Sequence, residues 1–474
     1  MISENKIFSF KNLPTNFRIY FYILILVLCI LFFSHIYGDI LITSRHGMLL
    51  IDHVLNGDIA SFYQNSFSSS GNIYHTSNYY AIYNILIYIT FALWNIPLYI
   101  LENIFQVDVM NNLFCLIWMK SILLFFLYLN IKIFNDILNQ FDFSYQDKFL
   151  ANFSILSSVG VLCPLFVTSQ YDIIGLYFIL IGVYKYLKSE RFRFIFYFSI
   201  AICFKSYALL VYIPLVLIQE KRILFVFRDI LMGLFLIVIT KLPFILSTPN
   251  LALSEIDFIN RLLNLSSMSI NPLIFVLVII YCASYYYRDI NKEEKNKFCV
   301  YILANTLLYF IIMGGSTKPY WIILIVPFIT IINVNNKKLY KYNLILETLI
   351  LMSFTVLKMI NHPLPYFGNT MKPMVMSYIF NFDFINVPDY IQSIFFMLQS
   401  SDLIITILYT IGVALVVVYI IINIPLVYNK VDEHNDLLIN EALTFRFISF
   451  SLVALLPFCS VFLNNFISYI LTFT

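Results

Sequence analysis

Charged residues are scarce in this chain of 474 residues. Asp, Glu, Lys and Arg make up 12% of it, whereas hydrophobic residues make up 61% and the mean hydropathy is +0.85. A soluble domain needs about a quarter of its residues charged to cover its surface. The shortage argues against a soluble protein, and repeated apolar runs of about 18 residues or more predict an all-α polytopic membrane protein.

Paired cysteines, long polar stretches and basic stripes are also missing. The seven cysteines lie in or beside apolar segments, so we expect no disulfide framework and no zinc site. No basic stripe lies outside the short loops, so no nucleic-acid binding is expected. The first apolar run is too long for a cleaved signal peptide and predicts an uncleaved span. No soluble domain fits between the runs, so residues 1–474 are expected to form a single integral membrane domain.

The apolar runs predict about 11–13 transmembrane helices. Basic clusters at 188–193, 221–228, 288–297 and 337–341, together with the basic N-terminus, are predicted to be cytoplasmic. The outer loops would then be 39–78, 248–271, 315–319 and 361–402. The candidate spans are roughly 19–38, 79–102, 111–134, 149–170, 171–187, 194–218, 229–247, 272–287, 298–314, 320–334, 344–360, 403–427 and 447–470.

One apolar stretch, 194–218, conflicts with this alternation, because basic clusters flank it on both sides. Either the stretch is broken near Lys205 into two half-helices that enter and return, or one basic loop lies outside. Irregular backbone at membrane depth is tolerated only beside protein or a water-filled cavity. A break would therefore place Lys205 beside a polar cavity, and both explanations remain open.

The first outer loop carries acids and bases among apolar residues instead of a short polar turn. Apolar residues within 43–63 fall on helical spacing, which predicts an amphipathic helix on the outer surface. Such a helix would hold Asp39 against the membrane, where ionisable groups usually face an interior or a cavity. Asp39 is therefore a candidate functional residue. The alternative is an acid that only ends the first span.

Three further stretches carry polar residues in apolar surroundings. Lys205 lies within FKSYALLVYIP, Lys318 within STKPYWIILIVPF, and Gln170 and Asp172 within TSQYDIIGL. A lysine at the mouth of a lipid-facing groove can hold a phosphate as a point charge. The alternatives are a snorkelling lysine, an interfacial anchor and a simple turn, respectively.

The layout resembles the GT-C superfamily of membrane glycosyltransferases, and distantly its glycosylphosphatidylinositol mannosyltransferase branch. The stretches that carry the resemblance are GDILITSRHGMLLIDHVLNGDIASFY, CFKSYALLVYIP and STKPYWIILIVPF. The resemblance implies a GT-C-like fold and inverting transfer of a sugar from a polyprenyl-phosphate carrier, with Asp39 at the position of the catalytic base. Position 41 is Leu where that branch tends to carry a second Asp, and HTSNYYAIYN replaces a Tyr-Arg-Tyr-like stretch. The sugar and the acceptor therefore stay open.

This chemistry needs few groups. One carboxylate suffices as general base, and the departing lipid phosphate needs compensating positive charge. We expect no metal and no cofactor. The expected partners are a polyprenyl-phosphate sugar donor, a glycan or lipid-linked envelope acceptor and the bilayer. The chain is rich in Ile, Phe, Asn and Lys and poor in Gly and Ala, which indicates a bacterial gene of low G+C content. The expected location is therefore a bacterial plasma membrane. The predicted substrate-binding residues are Arg45, His46, Asp52, Gln170, Asp172, Lys205 and Lys318.

Two other functions fit a polytopic chain. A polysaccharide polymerase or ligase is expected to carry a large late outer loop rich in Arg and His, but 361–402 has His362 and Lys372 and no arginine. A lipid-linked sugar flippase or other transporter is expected to show internal repeats and paired charges deep in several spans. Both remain alternatives to glycosyl transfer.

Overall fold

The computed structural model of the protein describes most of the chain. It is almost entirely helical, with a single two-stranded sheet among the described residues. The described residues are 15–69, 80–141, 143–245, 248, 272–288, 291–313, 318–361, 371–379, 393, 397–424, 443–449 and 451.

The helices follow the predicted apolar segments, and polar caps set several of their starts. The side chains of Asn84 and Asn112 each accept a hydrogen bond from a backbone N–H of the helix that follows, and Ser144 forms a capping box with Asp147. The helices are α1 Thr15–Ser34, α2 Gly38–Leu55, α3 Phe62–Ser69, α4 Ile85–Asn103, α5 Leu113–Leu138, α6 Tyr145–Leu156, α7 Val159–Val161, α8 Asp172–Leu187, α9 Arg191–Phe204, α10 Ala208–Gln219, α11 Ile223–Ile245, α12 Pro272–Tyr286, α13 Lys292–Met313, α14 Val326–Asn335, α15 Tyr340–Asn361, α16 Val375–Ile379 and α17 Asp402–Ile422. A π-helical turn at Leu162–Val167 follows α7, and 3₁₀ turns lie at Ile59–Ser61, Pro319–Leu324 and Lys337–Leu339. The strands are β1 His35–Tyr37 and β2 Met371–Pro373.

Four helices of the described chain are long and apolar enough to cross a membrane, namely α4, α5, α11 and α17. A fifth crossing is possible if α6 and the segment Val159–Val167, bent by 51°, count as one span. This is fewer than the predicted 11–13, because several apolar runs are broken or form shorter helices. The predicted span at 320–334 is a 3₁₀ turn followed by the ten residues of α14. The predicted span at 447–470 lies mostly outside the described residues.

The amphipathic helix predicted at 43–63 is α2, but its predicted bounds were wrong. The helix begins at Gly38, directly after β1, so Asp39 lies in its first turn instead of before it. It ends at Leu55, and Gly57 follows with a φ of +70°. That left-handed conformation carries no penalty for glycine, so the chain turns away here instead of continuing as a helix.

The sheet joins two distant parts of the chain next to Asp39. Strands β1 and β2 pair antiparallel, with His35 opposite Pro373 and Tyr37 opposite Met371. On β2, the Lys372 ammonium donates a hydrogen bond to the Met110 carbonyl. The sheet therefore holds the start of α2 against part of the predicted loop 361–402.

The predicted break near Lys205 is confirmed. Helix α9 ends at Phe204, and Lys205 is extended with φ −152° and ψ 119° before α10 begins. Arg191, at the start of α9, forms an ion pair at 3.3 Å with Glu220, just after α10. The two helices therefore form a helical hairpin with Lys205 at its tip. With 14 and 12 residues they extend about 21 and 18 Å, short of the ~30 Å hydrocarbon layer.

The predicted cytoplasmic loops meet at one end of the bundle, which we call the basic end. Lys337 forms an ion pair with Asp147 at 3.1 Å, and the Lys221 ammonium donates to the Ser284 carbonyl at 3.0 Å. The Arg191–Glu220 pair lies at the turns that flank α9 and α10. The conflict around 194–218 disappears because both of its basic clusters belong to this end.

Helices α2 and α4 pack directly on each other at the opposite, Asp39 end. A Cβ atom at Gly47 would lie 2.8 Å from backbone atoms of Phe91 and Ala92, so only glycine allows this close approach. Met110, which follows α4, contacts β2 through Lys372, and Tyr83, which precedes α4, lies beside Lys205. Although α4 is long enough to be a span, both of its flanks contact the Asp39 end. Many buried side chains of the core come from α5, α8, α9 and α10.

Candidate functional site

Asp39 is a half-buried carboxylate in the first turn of α2. Its Oδ2 accepts a hydrogen bond from Gln170 Nε2 at 2.9 Å. Burial raises the pKa of the Asp39 carboxyl above its ordinary value, and the Gln170 hydrogen bond and the charges of Lys205 and Lys318 oppose that rise. A carboxyl with a raised pKa binds a proton more readily, which is the property that a general base needs.

Asp172 is the first residue of α8 and is 1% exposed. Its Oδ1 atom lies 3.0 Å from the Lys205 ammonium and accepts a hydrogen bond from the Tyr207 hydroxyl at 2.9 Å. Its Oδ2 atom is buried and has no hydrogen-bond partner among the described residues. One oxygen of this carboxylate is therefore doubly bound and the other is free.

Lys205 is neither a snorkelling lysine nor part of a helix. Its ammonium lies 5.1 Å from the centroid of the Tyr83 ring and 5.2 Å from that of Tyr171. Aromatic faces attract cations, most strongly where water is excluded. The tip of the α9–α10 hairpin thus places one positive charge between two rings and beside Asp172.

The segment before Asp172 has an unusual backbone. Its π-helical turn bonds the Thr168 N–H to the Cys163 carbonyl at 2.8 Å, and Ser169 has a φ of +47° although it is not glycine. Such conformations cost about 1–3 kcal/mol each and concentrate at functional sites. Here they bring Gln170 to Asp39 and Asp172 to Lys205, so the strained backbone serves the cluster.

Lys318 lies at the start of the 3₁₀ turn Pro319–Leu324, close enough for its charge to lower the pKa of Asp39. Within this turn the Trp321 ring lies 5.4 Å from the Tyr207 ring and 5.5 Å from that of Phe310. The 3₁₀ turn therefore forms part of the wall around Asp172. Five of the predicted residues converge on one cluster: Asp39, Gln170, Asp172, Lys205 and Lys318.

The structure does not bring Arg45, His46 and Asp52 into this cluster. Arg45 forms an ion pair with Glu102 of α4 at 2.6 Å, and Asp52 accepts a hydrogen bond from the Tyr99 hydroxyl at 2.6 Å. Because α2 begins at Gly38, Arg45 and Asp52 lie seven residues apart on one helix face, which is the face that meets α4.

His46 lies seven residues from Asp39 and therefore on the same face of α2 as Asp39. It is 1% exposed and packs edge-on against Tyr88, with ring centroids 5.7 Å apart. The predicted substrate-binding roles of Arg45, His46 and Asp52 therefore gain no geometric support.

Sequence reasoning missed Lys120, a fully buried lysine in α5. Its ammonium donates hydrogen bonds to the carbonyls of Leu31 and His35, at the C-terminal end of α1. A cation at that end also interacts favourably with the helix dipole. Lys120 thus fixes the junction of α1 and β1 that leads into Asp39. The available signal was a lone lysine inside a long apolar run.

Tyr83, Tyr171 and Tyr207 were also not singled out. Tyr171 separates Gln170 from Asp172 in the chain, and Tyr207 follows Lys205 by two residues. Both tyrosines therefore lie in stretches that were selected for their other polar residues. Tyr83 lies within HTSNYYAIYN, which was read only as a departure from the resemblance and not as part of a site.

Among the described residues, no group of three or more His, Cys, Asp or Glu side chains is placed to hold a metal ion. The chain matches no protein-family model, and a search of curated proteins finds no match either. The cluster itself is therefore the basis for a functional conclusion.

Proposed function

We propose that the protein is a polytopic membrane glycosyltransferase of the GT-C type. It transfers a sugar, with inversion, from a polyprenyl-phosphate carrier to an envelope glycan or a lipid-linked acceptor. The observation that carries the proposal is the arrangement of Asp39, a carboxylate held by one amide, beside the lysine-paired Asp172. Asp39 can accept a proton, and the positive charge of the nearby lysines can stabilise a leaving phosphate.

Asp39 is the base and Asp172 is not. Asp172 is bound by the Lys205 ammonium and the Tyr207 hydroxyl on one oxygen and is thus the counter-ion of Lys205. Among the described residues, Asp39 accepts a side-chain hydrogen bond from the neutral Gln170 amide alone, and burial raises the pKa of its carboxyl. The acceptor hydroxyl therefore gives its proton to Asp39 as its oxygen attacks the anomeric carbon.

The leaving phosphate needs a positive counter-charge because negative charge grows on the bridging oxygen as the glycosidic bond breaks. Lys318 and Lys205 are the cations whose charges reach Asp39. Both come from short non-helical links that lie near Asp39. A phosphate headgroup there keeps its polyprenyl tail in the membrane beside the protein.

The proposed orientation places the Asp39 end outside and the basic end in the cytoplasm, following the positive-inside rule. Helix α1 runs outward, α2 to α4 stay at the outer face, and the chain then crosses with α5, α6–α7 and α8. The re-entrant pair α9–α10 leaves both of its ends inside, so α11 runs outward and the alternation continues to α17. The N-terminus is cytoplasmic in this arrangement, and the low-G+C composition favours a bacterial plasma membrane.

Replacing Asp39 with Asn tests the proposal. The substitution keeps size and hydrogen bonding but removes proton acceptance, a loss of about 10²–10⁴-fold in rate. Purified protein in lipid nanodiscs is supplied with polyprenyl-phosphate glucose, mannose or galactose and a glycan acceptor extract, and release of polyprenyl phosphate is measured. Asp58→Asn is the matched control, because Asp58 lies in an exposed turn with a 58% exposed side chain.

Asp39→Asn should lose turnover while its melting temperature shows that it folds, and Asp58→Asn should retain turnover. An Asp39→Asn protein that releases carrier phosphate at the wild-type rate would refute the assignment of the base. A wild-type protein that turns over none of these donors would refute the proposed reaction itself.

A further inference from the structure

The free oxygen of Asp172 and the indole N–H of Trp321 are buried polar atoms on two residues that both contact Tyr207. Asp172 is 1% exposed, and its Oδ2 accepts no hydrogen bond from any described residue. The Trp321 Nε1 atom is also buried and donates to no described residue. Tyr207 links the two, since its hydroxyl donates to Asp172 Oδ1 and its ring packs against the indole.

Buried polar atoms without partners are rare in native proteins, and each one needs an explanation. A free carboxylate oxygen and a free indole N–H provide one acceptor and one donor. A hydroxyl group matches this pair, because it donates one hydrogen bond and accepts others. A phosphate does not match, because its oxygens accept hydrogen bonds and would be repelled by the carboxylate.

We propose that Asp172 Oδ2 and Trp321 Nε1 bind a hydroxyl of the transferred sugar, and that Asp172 thereby determines which sugar is accepted. This inference rests on the proposed function and divides the site into two parts. Asp39 and the nearby lysine charges act on the acceptor hydroxyl and the phosphate, whereas Asp172 and Trp321 hold the sugar ring through one of its hydroxyls.

The two bonds on Oδ1 explain how the free oxygen is held. The Lys205 ammonium and the Tyr207 hydroxyl both bind the same atom, which fixes the plane of the carboxylate and leaves Oδ2 for a ligand. Lys205 and Tyr207 are therefore positioning residues for sugar recognition. A site that hydrogen-bonds a substrate hydroxyl rejects an analogue lacking it by about 10⁴–10⁵-fold, because its buried groups stay unpaired.

Asp172→Asn should change recognition in a defined way. The amide oxygen of Asn would take the place of Oδ1, because Lys205 and Tyr207 both donate. Its NH₂ group would then replace Oδ2 and present a donor where the wild type presents an acceptor. The preferred donor sugar should lose kcat/KM relative to its epimers, so the ratio among the three hexoses should fall by at least about 10-fold.

The first experiment uses Trp321 as a reporter of binding. The protein has three tryptophans, and the other two, Trp94 and Trp118, stack on each other with centroids 5.5 Å apart on α4 and α5. In the Trp94→Phe/Trp118→Phe protein, fluorescence reports Trp321 alone. A hydrogen bond to the indole N–H shifts its emission to longer wavelength. One of polyprenyl-phosphate glucose, mannose and galactose should produce this shift, and bare polyprenyl phosphate should not.

The second experiment compares kcat/KM for the three donors in the wild type, Asp172→Asn and Tyr207→Phe. Tyr207→Phe keeps the ring against Trp321 but removes one of the two bonds on Oδ1, so it should reduce the selectivity in the same direction. It also keeps the test decisive if Asp172→Asn does not fold. A role in stability alone would lower the melting temperature and leave the ratio among the donors unchanged.

The outcomes separate this inference from the function on which it rests. If the wild type turns over a donor but both variants keep its selectivity, sugar recognition by Asp172 is wrong while the transfer reaction stands. An equal emission shift with bare polyprenyl phosphate would also overturn it, because the indole would then report the carrier. If the wild type turns over none of the donors, the proposed function fails and this inference fails with it.

Discussion

Two buried ion pairs of this protein differ in how completely their carboxylates are bound. Glu347 of α15 is fully buried, and Arg446 donates to both of its oxygens at 2.8 Å. The Asn333 side chain adds a third hydrogen bond at 2.7 Å. Asp172 is as deeply buried, yet within the described part of the chain only one of its oxygens is bound, and Asp39 has a single amide on Oδ2.

The difference separates a structural pair from a candidate active site. A buried carboxylate without its partner is costly, so a chain under selection for stability alone saturates it, as it does at Glu347. At the Asp39 end the chain instead combines an unsaturated carboxylate with a strained backbone at Ser169 and a cation held between two rings. We infer that the missing partners there are substrate groups.

Removing Arg446 should have the largest effect on stability. Arg446→Met would leave Glu347 buried without its counter-charge, which typically costs about 3–5 kcal/mol. The free energy of unfolding or the melting temperature in detergent measures the loss. The double variant Arg446→Met/Glu347→Leu removes both charges and should recover most of the stability. If the double variant is no more stable than the single one, the pair is not what holds 443–449 to the bundle.

The pH dependence of Asp39 should be the next largest effect. Because burial raises the pKa of its carboxyl, turnover should rise with pH and level off only above that raised pKa, not at the ordinary value near 3.8. Stability should change in the opposite direction. The folded state holds the proton more tightly, so its contribution is complete below the unfolded pKa and is lost as pH rises through the folded pKa.

Asp39→Asn cannot titrate and should lose this pH dependence of the melting temperature. Melting curves of the wild type and the variant from pH 4 to pH 8 would measure it. Parallel curves would contradict the raised pKa. Asp39 would then be an ordinary surface acid, and the contrast with the fully bound Glu347 would not apply to it.

The smallest effect is expected at Lys318. Lys318→Ala should weaken binding of the polyprenyl-phosphate donor, because its charge lies near Asp39 and the leaving phosphate. Lys372→Ala is the matched control, because the Lys372 ammonium already donates hydrogen bonds to the Met110 carbonyl and the Asn111 side chain. The two KM values for one donor are compared. Equal changes would make Lys318 an interfacial anchor.

The residues of the site could be predicted from the sequence where polar groups interrupt apolar runs. Gln170, Asp172 and Lys205 stand out in this way, and the break at Lys205 was one of the two explanations that the basic clusters on both sides of it left open. The partners could not be predicted. Whether Asp172 meets Lys205 or Asp39 depends on how the 3₁₀ and π-helical turns direct each side chain, and no local pattern encodes those angles.

The start of α2 was the most consequential error in the sequence-based interpretation. The predicted helix at 43–63 already placed Arg45 and Asp52 on one face, but Asp39 can be related to His46 only once the helix is known to begin at Gly38. That start is set by the pairing of β1 with β2, more than 300 residues away along the chain. Long-range pairing of this kind leaves no signal in the first loop, so the position of Asp39 within the helix could not be predicted.

The lengths of α9 and α10 bear on how the chain enters its membrane during synthesis. A crossing helix needs about 20 residues, and these two have 14 and 12. If the stretch were inserted as one crossing, Lys205 and Ser206 would be left in lipid without partners. The pair can settle only after α8 supplies Asp172 and α11 supplies Asp229, which binds Arg191. In the proposed orientation, α9 and α10 are therefore expected to stay at the cytoplasmic surface during synthesis and to insert only after the ribosome has completed α11.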